Sequence, residues 1–242
     1  MPPRFYCSMP LAAGQLISLP AQTAHHAQRV LRMGAGDPLV LFDGNGGEWA
    51  GRLVESGRTL QVALGEWREV DCESGLQLTL VQALPAADKM DWVVQKAVEL
   101  GATAIVPVQA SRSVVRLAGE RAEKRQIHWQ QVIVSACEQC GRNRLPRLSR
   151  LIDLPHYLAQ PVSDKETRLL LSPHQGMRLT ALALPEGGVT LLVGPEGGFD
   201  QAEELAARVA GFQPVSLGPR VLRSETAGLA AIAAMMALWG DF

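Results

Sequence analysis

The sequence lacks the features that would place a protein in a membrane or outside the cell. No run of uncharged apolar residues approaches the length of about 18 that a transmembrane helix needs, so we expect no membrane partner. The opening segment Met1–Phe5 does not lead into an apolar stretch with a small-residue cleavage site, so we expect no secretion. Four cysteines are too few for a disulfide scaffold in 242 residues, which favours reduced thiols in a cytoplasmic protein.

The chain also lacks an excess of either charge. Lys and Arg number 23 against 24 for Asp and Glu, so the formal net charge of −1 does not indicate a nucleic-acid-binding protein. A composition with 47% hydrophobic and 19% charged residues excludes a disordered chain, and 242 residues suffice for one large domain or two smaller ones. Of the basic residues 19 are Arg, whose planar guanidinium suits phosphate and carboxylate groups.

The first 72 residues have the pattern of a β domain. The apolar run Pro38–Phe42 leads into the turn signal Asp43–Gly47, and short alternating runs follow at Trp49–Val54 and Leu60–Leu64. Only Ala21–Leu31 has helical spacing. Several short strands in so few residues predict a small β-barrel over residues 1–72.

Residues 73–242 alternate between strand and helix patterns. The predicted strands cover 76–84, 104–108, 169–172, 189–193 and 215–217. The predicted helices run from Asp88 to Gly101, over 120–140, from an Asp200 cap to Ala210, and from a Ser224 cap to Leu238. This alternation predicts an α/β domain with a mostly parallel sheet and helices on both faces.

One segment of this second domain is rich in arginine. Residues 112–150 hold nine basic and three acidic side chains, a local excess of +6 in a neutral protein. The basic residues are Arg112, Arg116, Arg121, Lys124, Arg125, Arg142, Arg144, Arg147 and Arg150. This segment, called the arginine-rich segment below, is either an anion-binding surface or a solvated helix face.

A glycine-rich turn, Gly194–Gly198, joins a predicted strand to a predicted helix. In an open α/β sheet such a turn lies at the carboxyl end of a strand, where ligands bind. It matches neither the Walker loop nor the dinucleotide fingerprint, and the carboxylates of Glu196 and Asp200 would repel a phosphate. The turn therefore favours a nucleoside or cationic ligand bound by backbone groups. The alternative is a tight turn that needs positive φ at Gly197 or Gly198.

A second motif precedes the last helix. Gly218-Pro219 forces a loop, and the basic residues Arg220 and Arg223 follow just before a helix N-terminus, where the helix dipole disfavours cations. Their position is explained if they meet an anion or hold Glu225. A purely structural salt bridge is the alternative.

A Cys-x-x-Cys pair, Cys137 and Cys140, lies near the end of a predicted helix. A zinc site needs two more ligands that the sequence does not offer, and a redox pair favours the start of a helix. The neighbouring polar run Glu138–Arg144 offers amide and guanidinium donors for phosphates or base edges.

Together these motifs resemble the bacterial 16S ribosomal RNA uridine-N3 methyltransferases of the SPOUT superfamily, the RsmE family. The resemblance extends over nearly the whole chain and is most specific at 194–198 and 217–227. The other matching segments are 3–5, 26 with 30–32, 36–37, 43–44, 96–101, 112–114 and 136–142. Two departures are small: Ser224 stands where family members often carry Thr, and His128-Trp129 replaces a commoner basic-Trp pair.

The resemblance implies an N-terminal PUA-like β-barrel that helps to hold RNA and a C-terminal α/β domain with a deep trefoil knot. It also implies S-adenosylmethionine (SAM) as the cofactor and a homodimer whose site uses both subunits. The implied partner is 16S rRNA within the small ribosomal subunit. No metal is expected, because the sulfonium of SAM is already activated. Hydrophobic periodicity does not reveal a knot, which general experience disfavours.

By the same resemblance, the cofactor lies against three loops, 171–176, 194–198 and 217–222. The implied cofactor-binding residues are Leu171, Ser172, Gly194, Pro195, Glu196, Gly197, Gly198, Leu217, Gly218, Val221 and Leu222. Arg223 is the first choice for a catalytic residue, ahead of Arg220 and Glu225. The expected RNA contacts are Arg4, Arg32, Arg112, Arg116, Arg142, Asn143 and Arg144.

Two other functions stay open. The first is a knotted methyltransferase that acts on tRNA, which would share the cofactor loops but not the N-terminal features. The second is an RNA-binding ribosome assembly factor without catalysis. The retained segments Gly194–Gly198 and Arg220–Thr226 argue against the second.

Overall fold

The computed structural model describes residues 2–56, 59–86, 89–173 and 176–242. The chain folds into two compact units. The first unit comprises Met1–Glu73 together with Cys137–Leu145, and the second comprises Ser74–Ala136 and Pro146–Phe242. The sequence predicts two continuous domains, 1–72 and 73–242, whereas the first unit is discontinuous and includes the short segment Cys137–Leu145.

The first unit is built on a five-stranded sheet. Its strands are β1 (Arg4–Tyr6), β2 (Leu16–Ser18), β3 (Pro38–Phe42), β4 (Glu48–Ser56) and β5 (Thr59–Arg68). The pairing order is β1-β3-β4-β5-β2, with β1 parallel to β3 and the other pairs antiparallel. The predicted strands are therefore present. In the described part of the unit, the end strands β1 and β2 do not pair with each other, so backbone pairing does not close the sheet into a ring.

A helical segment covers the core of this sheet. Helix α1 (Ala21–His25) continues directly as a π-helical turn, His26–Val30, within the predicted helical region. The core contains apolar side chains from all five strands and from the helix, including Phe5, Ile17, Ala27, Leu41, Leu53 and Val62.

The second unit is built on a parallel sheet. Its strands are β6 (Leu78–Ala83), β7 (Ala104–Gln109), β8 (Arg147–Leu148), β9 (Ile152–Asp153), β10 (Thr167–Leu171), β11 (Met177–Arg178), β12 (Val189–Val193) and β13 (Gln213–Ser216). The order is β11-β13-β10-β12-β6-β7-β8, and β9 also pairs with β7. Every pair is parallel, as the alternation of strands and helices predicts.

Four helices after α1 lie close to their predicted positions: α2 (Lys89–Glu99), α3 (Gly119–Cys140), α5 (Gln201–Val209) and α6 (Ser224–Trp239). The short helix α4 (Leu154–Leu158) and a 3₁₀ turn at Leu179–Ala181 were not predicted. The predicted start of α2 at Asp88 lies outside the described residues. Among the described residues, no helix has both the length and the apolar character to cross a membrane.

Successive side chains of the buried strands pack on opposite faces of the sheet. On β6, Val81 and Ala83 belong to a core with Phe199 and Ala207 of the α5 region. Gln82 and Leu80 face α6, whose Gly228 approaches so closely that a β-carbon there would lie 3.3 Å from the Gln82 amide oxygen. Both faces are therefore covered by helices, which explains the near-continuous apolar runs of the central strands.

Candidate functional site

A cavity of about 350 Å³ lies at the carboxyl edge of the parallel sheet. Strands β13, β10 and β12 are neighbours in the sheet, so the loops that follow them converge at this edge. The start of α6 forms another wall. Ten of the predicted cofactor-binding residues line the cavity: Leu171, Ser172, Gly194, Pro195, Glu196, Gly198, Leu217, Gly218, Val221 and Leu222. Within the predicted loop 171–176, residues 174 and 175 lie outside the described residues.

Two predicted residues do not line this cavity. The α-carbon of Gly197 faces Arg112 instead, and a β-carbon there would lie 3.3 Å from that side chain. Glu225 lies on the first turn of α6 and pairs with Lys89, which also pairs with the lining residue Glu196. Both residues thus make contacts that support the cavity, and the cofactor-binding role of Gly197 and the catalytic role of Glu225 stay predictions.

The glycine turn depends on one left-handed residue. Of the two glycines predicted to need positive φ, Gly198 has it, at +66°. Its amide N–H donates to the Pro195 carbonyl oxygen at 2.9 Å. Arg112 Nη1 donates to the Gly197 carbonyl oxygen at 2.9 Å, which holds the outer side of the turn. The buried ring of Phe199 lies under Gly194, where a β-carbon would come within 3.3 Å of it.

The helix after the turn starts with a capping box. Asp200 accepts a hydrogen bond from the Glu203 N–H at 2.8 Å, and Glu203 accepts one from the Asp200 N–H at 3.0 Å. Ser111 adds its hydroxyl to Asp200 and its amide N–H to Glu203. The Glu203 amide and the Ser111 hydroxyl hold the pKa of Asp200 below its usual value. The Asp200 carboxylate thus serves to cap the start of α5.

Lys89 joins the glycine turn to the last helix. Its Nζ lies 3.2 Å from Glu196 Oε1 and 3.1 Å from Glu225 Oε1. The Glu225 and Glu196 carboxylates raise the pKa of Lys89. Burial alone would raise the pKa of Glu196, but hydrogen bonds from the Ala86 amide, the Glu196 amide and Lys89 outweigh it and hold this pKa below its usual value. No sequence pattern pointed to Lys89, because its partners are more than 100 residues away.

Ser224 makes the second link between the same two elements. Its hydroxyl donates to the Gly194 carbonyl oxygen at 2.5 Å and accepts a hydrogen bond from Gln82 Nε2 at 3.0 Å. The N-cap of α6 is Arg223, so the prediction that Ser224 is the cap is wrong. The Ser224 hydroxyl has a tertiary partner instead of the helix N–H groups. Gln82 was missed, although a fully buried amide in the apolar run of β6 is a signal of such a link.

Arg220 and Arg223 line the mouth of the cavity and are exposed. In the described part of the chain, neither guanidinium has a hydrogen-bond or ion-pair partner. Lys89, and not an arginine, pairs with Glu225. The structural salt bridge that the sequence left open for these arginines is therefore not formed. This favours a role of both guanidinium groups in contacting a ligand.

The predicted RNA contacts divide into two groups. Three of them make contacts within the first unit, where Arg4 is half-buried and Arg142 and Asn143 are buried. Arg4 pairs with Glu48, Arg142 pairs with Glu73, and the Asn143 amide donates to the Val70 carbonyl oxygen at 2.9 Å. Arg142 is only 4% exposed and Asn143 only 1%. These contacts favour a structural role for Arg4, Arg142 and Asn143, and the RNA contacts assigned to them stay predictions.

The other four predicted RNA contacts are exposed: Arg32, Arg112, Arg116 and Arg144. Arg144 Nη1 donates to the Asn45 carbonyl oxygen at 2.7 Å, and Arg116 Nη2 donates to the Ser111 carbonyl oxygen. Arg32 has an unusual positive φ of 54° for a residue with a side chain. All four residues are thus accessible from solvent.

The cysteine pair ends α3. Burial raises the pKa of Cys137 to about 12, so its thiol stays protonated at neutral pH. The described residues contain no cluster of three or more His, Cys, Asp or Glu side chains that could hold a metal ion.

Comparison with known proteins gives concordant matches. A family model described as RNA methyltransferase domain matches residues 72–236, and one described as RNA methyltransferase PUA domain matches residues 19–64. The ribosomal RNA small subunit methyltransferase E of Buchnera aphidicola is 32% identical, covering 99% of this chain and 97% of that protein. The enzyme of the same name from Bacillus subtilis is 33% identical, covering 90% and 88%.

Solved structures agree with these matches. The crystal structure of a ribosomal RNA small subunit methyltransferase E from Neisseria gonorrhoeae bound to S-adenosyl methionine superposes with a TM-score of 0.94 at 43% identity, over the whole of both chains. A putative methyltransferase from Legionella pneumophila in complex with SAM gives 0.94 at 34% identity, also over the whole of both chains. The predicted fold class, a PUA-like β domain with a SPOUT-type α/β methyltransferase domain, is confirmed. The trefoil knot itself stays a prediction.

Proposed function

The chain belongs to the ribosomal RNA small subunit methyltransferase E family, and from this membership we propose that it transfers the methyl group of SAM to N3 of a uridine in 16S rRNA. The observation that carries the proposal is the cavity at the carboxyl edge of the sheet, where the three loops meet beside Arg220 and Arg223, whose guanidiniums have no partner among the described residues. A small-molecule site and a set of substrate-directed donors are thus adjacent.

The residues of the cavity fit SAM. Its volume of about 350 Å³ lies within the range of small-molecule sites. The lining carries the carboxylates of Glu196 and Glu204, which suit the sulfonium and ammonium groups of the ligand, and the guanidiniums of Arg220 and Arg223, so its formal charges balance. Backbone groups of the glycine turn and of the 217–222 loop are available for the adenine edge, and Leu171 and Leu222 offer apolar contact.

The bound cofactor supplies an activated methyl group on a sulfonium, so this chain has to prepare the uridine. N3 of uridine carries an imide proton, and the ring attacks only after this proton leaves. We assign Arg223 the role of hydrogen-bonding a uracil carbonyl oxygen, where the negative charge of the deprotonated ring accumulates. Arg220, on the same loop, supports this anion. Glu225 acts through Lys89 and the glycine turn, so it is a positioning residue.

RNA binding is assigned to the exposed arginines. Arg112 and Arg116 lie in the second unit, near the glycine turn, and Arg32 and Arg144 lie in the first. We propose that the PUA-like unit helps to hold 16S rRNA within the small ribosomal subunit. We also propose that the second unit carries the methyl transfer, as a homodimer in the cytoplasm. Because the total charge is only −1, the RNA contact is expected to be confined to these local basic surfaces.

A methyl-transfer assay tests the proposal directly. The protein is incubated with SAM labelled on its methyl group and with small ribosomal subunits, free 16S rRNA or tRNA, and the nucleosides are then separated. Label in 3-methyluridine of rRNA supports the proposal. Label in tRNA supports the knotted tRNA methyltransferase, and binding of RNA without any label supports an assembly factor. Arg223→Ala serves as the matched variant with the cofactor loops intact.

A further inference from the structure

The fold divides the arginine-rich segment, and Arg147 and Arg150 are among the members that have no place in the function above. Arg142 is buried in the first unit, and Arg112 and Arg116 lie by the glycine turn. Arg147 and Arg150 lie in the second unit at the opposite edge of the parallel sheet, where its strands begin. Their surroundings therefore need a separate account.

These two arginines line a second concave region. A cavity of about 460 Å³ is lined by Arg147, Ser149, Arg150, Tyr157 and Arg168 among others. It adjoins a cavity of about 380 Å³, which shares Arg147 with it. On β12, Thr190 lines both of these cavities, whereas Val193 lines the cofactor cavity. Three residues of a strand separate them by roughly 10 Å, so the two sites lie on opposite edges of the sheet.

The lining of this cavity includes an ion pair between Arg168 and Glu166. Arg168 is nearly buried; its Nε donates to Glu166 Oε2 at 3.3 Å and its Nη1 to the Ala210 carbonyl oxygen at 3.0 Å. The other oxygen of Glu166 accepts the hydroxyl of Thr190. Each oxygen of the Glu166 carboxylate thus accepts a hydrogen bond, and Arg168 balances its charge.

Arg147 and Arg150 add two positive charges to a lining in which Arg168 and Glu166 neutralise each other. Both are exposed, and no hydrogen-bond or ion-pair partner of either side chain exists among the residues that the structure describes. The hydroxyl of Ser149 and the amide of Gln160 line the same cavity. Two free guanidinium forks with neutral donors beside them favour a tetrahedral anion, because a fork binds two phosphate oxygens at once.

We propose that this cavity, called the amino-edge site, binds a phosphate group through Arg147 and Arg150. The phosphate belongs either to the RNA backbone or to a free nucleotide, since both present the same oxygens. The RNA source rests on the proposed function, whereas the free-nucleotide source does not. Either occupant is held at the edge of the sheet remote from the cofactor loops.

Binding of three probes to the full-length protein tests the site. The probes are inorganic phosphate, AMP and a ten-nucleotide single-stranded RNA, each titrated into wild type and into Arg147→Ala/Arg150→Ala. The matched control is Arg121→Ala/Lys124→Ala, which removes the same charge from exposed positions of α3 in the same arginine-rich segment. The affinity for SAM is measured in every variant as a check on folding and on the other edge of the sheet.

We expect the Arg147/Arg150 variant to lose tenfold or more in affinity for at least one probe, while the control changes less than about twofold. If RNA is the occupant, the slope of log affinity against log salt should also fall by about 0.7 for each phosphate contact removed. A variant with Arg147→Lys and Arg150→Lys should recover only part of the loss, because a point charge does not reproduce the fork.

If the Arg147/Arg150 variant loses affinity for AMP or phosphate, the source is a free nucleotide, and if it loses affinity for RNA alone, the source is the RNA backbone. The inference is overturned if wild type binds none of the probes, or if the Arg147/Arg150 variant and its control bind them equally. Either result leaves methyl transfer untouched, because SAM affinity and the labelled-nucleoside assay report on the cofactor edge. The two failures are therefore distinguishable.

Discussion

The Ser224 hydroxyl donates a hydrogen bond to the Gly194 carbonyl oxygen, so the first residue of α6 is bonded directly to the glycine turn after β12. Buried Gln82 donates to the same hydroxyl from β6. Three elements that are distant in sequence thus share one small polar group at the wall of the cofactor cavity.

Replacing Ser224 tests how far the cavity depends on this group. Ser224→Ala leaves the Gly194 carbonyl and one Gln82 N–H without their partner, so we expect a loss of about 1–3 kcal/mol in the free energy of unfolding and weaker SAM binding. Ser224→Thr keeps the hydroxyl and should retain most of both. Urea unfolding and isothermal titration measure the two effects. Equal SAM affinity in the Ala variant and wild type would contradict this role.

The glycine turn should depend on Gly198 and not on Gly197. Gly198 has φ of +66°, a conformation that a β-branched residue resists, so Gly198→Val should abolish detectable SAM binding. Gly197 has no positive φ, and a β-carbon there meets only the flexible Arg112 side chain, so Gly197→Ala should bind SAM nearly as wild type does. Titration of SAM into both variants decides between them, and equal losses would refute this assignment of the strained position.

Lys89 should make stability depend on pH in a defined window. The pKa of Glu196 lies below its usual value, so its contribution is complete above about pH 4.3 and is lost as pH falls through the lowered pKa. The pKa of Lys89 is raised, so its contribution is complete below about pH 10.4 and is lost as pH rises through the raised pKa.

Lys89→Met should therefore lower the urea midpoint most between about pH 5 and pH 10, with the difference from wild type shrinking at both ends. Lys124→Met, at the exposed pair with Glu120, serves as the control and should change the midpoint little. A difference for Lys89→Met that stays constant from pH 3 to pH 11 would show that the Lys89 ion pairs do not contribute.

Arg142 should stabilise the first unit without contacting RNA. Its side chain is 5% exposed and pairs with Glu73, so Arg142→Ala leaves a nearly buried carboxylate unpaired and should cost about 3–5 kcal/mol. Arg144→Ala, two residues away and exposed, should cost less than about 1 kcal/mol. Denaturant unfolding gives both values. A folded Arg142→Ala protein of wild-type stability that binds RNA more weakly would restore Arg142 as an RNA contact.

Arg223 should be needed for chemistry more than for binding. Removal of a preorganised donor to a developing anion costs on the order of 10²–10³ in rate, so we expect Arg223→Ala to reduce single-turnover methylation by about that factor. SAM affinity should stay close to wild type, and Arg223→Lys should recover little because the planar fork is lost. If saturating RNA restores the Ala variant to wild-type turnover, Arg223 serves only in binding.

The cofactor edge could be predicted from the sequence because local patterns determine it. The apolar run Val189–Val193 specifies a buried strand, the glycines after it require a turn, and Asp200 with Glu203 specifies the start of a helix. Parallel strands bring such turns to one edge, so the turn and the Leu217–Leu222 loop meet there.

The contacts that stabilise this edge could not be predicted. Lys89 meets Glu196 across 107 positions, and Gln82 meets Ser224 across 142, so neither pair leaves a periodic trace. The two-residue strands β8, β9 and β11 are too short to show alternation. Burial of Arg142 was hidden for the same reason, since its partner Glu73 lies 69 positions earlier.

The discontinuity of the first unit sets the order in which the protein can fold during synthesis. The Glu73 carboxylate accepts hydrogen bonds from Arg142 and Arg144, and the Tyr6 amide donates to Glu138, so these partners lie on the returning segment Cys137–Leu145. About 70 further residues must be translated after Glu73, which takes roughly 4 to 14 s at 5–20 residues per second. During synthesis, the Glu73 carboxylate and the Tyr6 amide therefore lack these partners until much of the second unit has been translated. The rate of translation thus sets the earliest time at which the first unit can be completed.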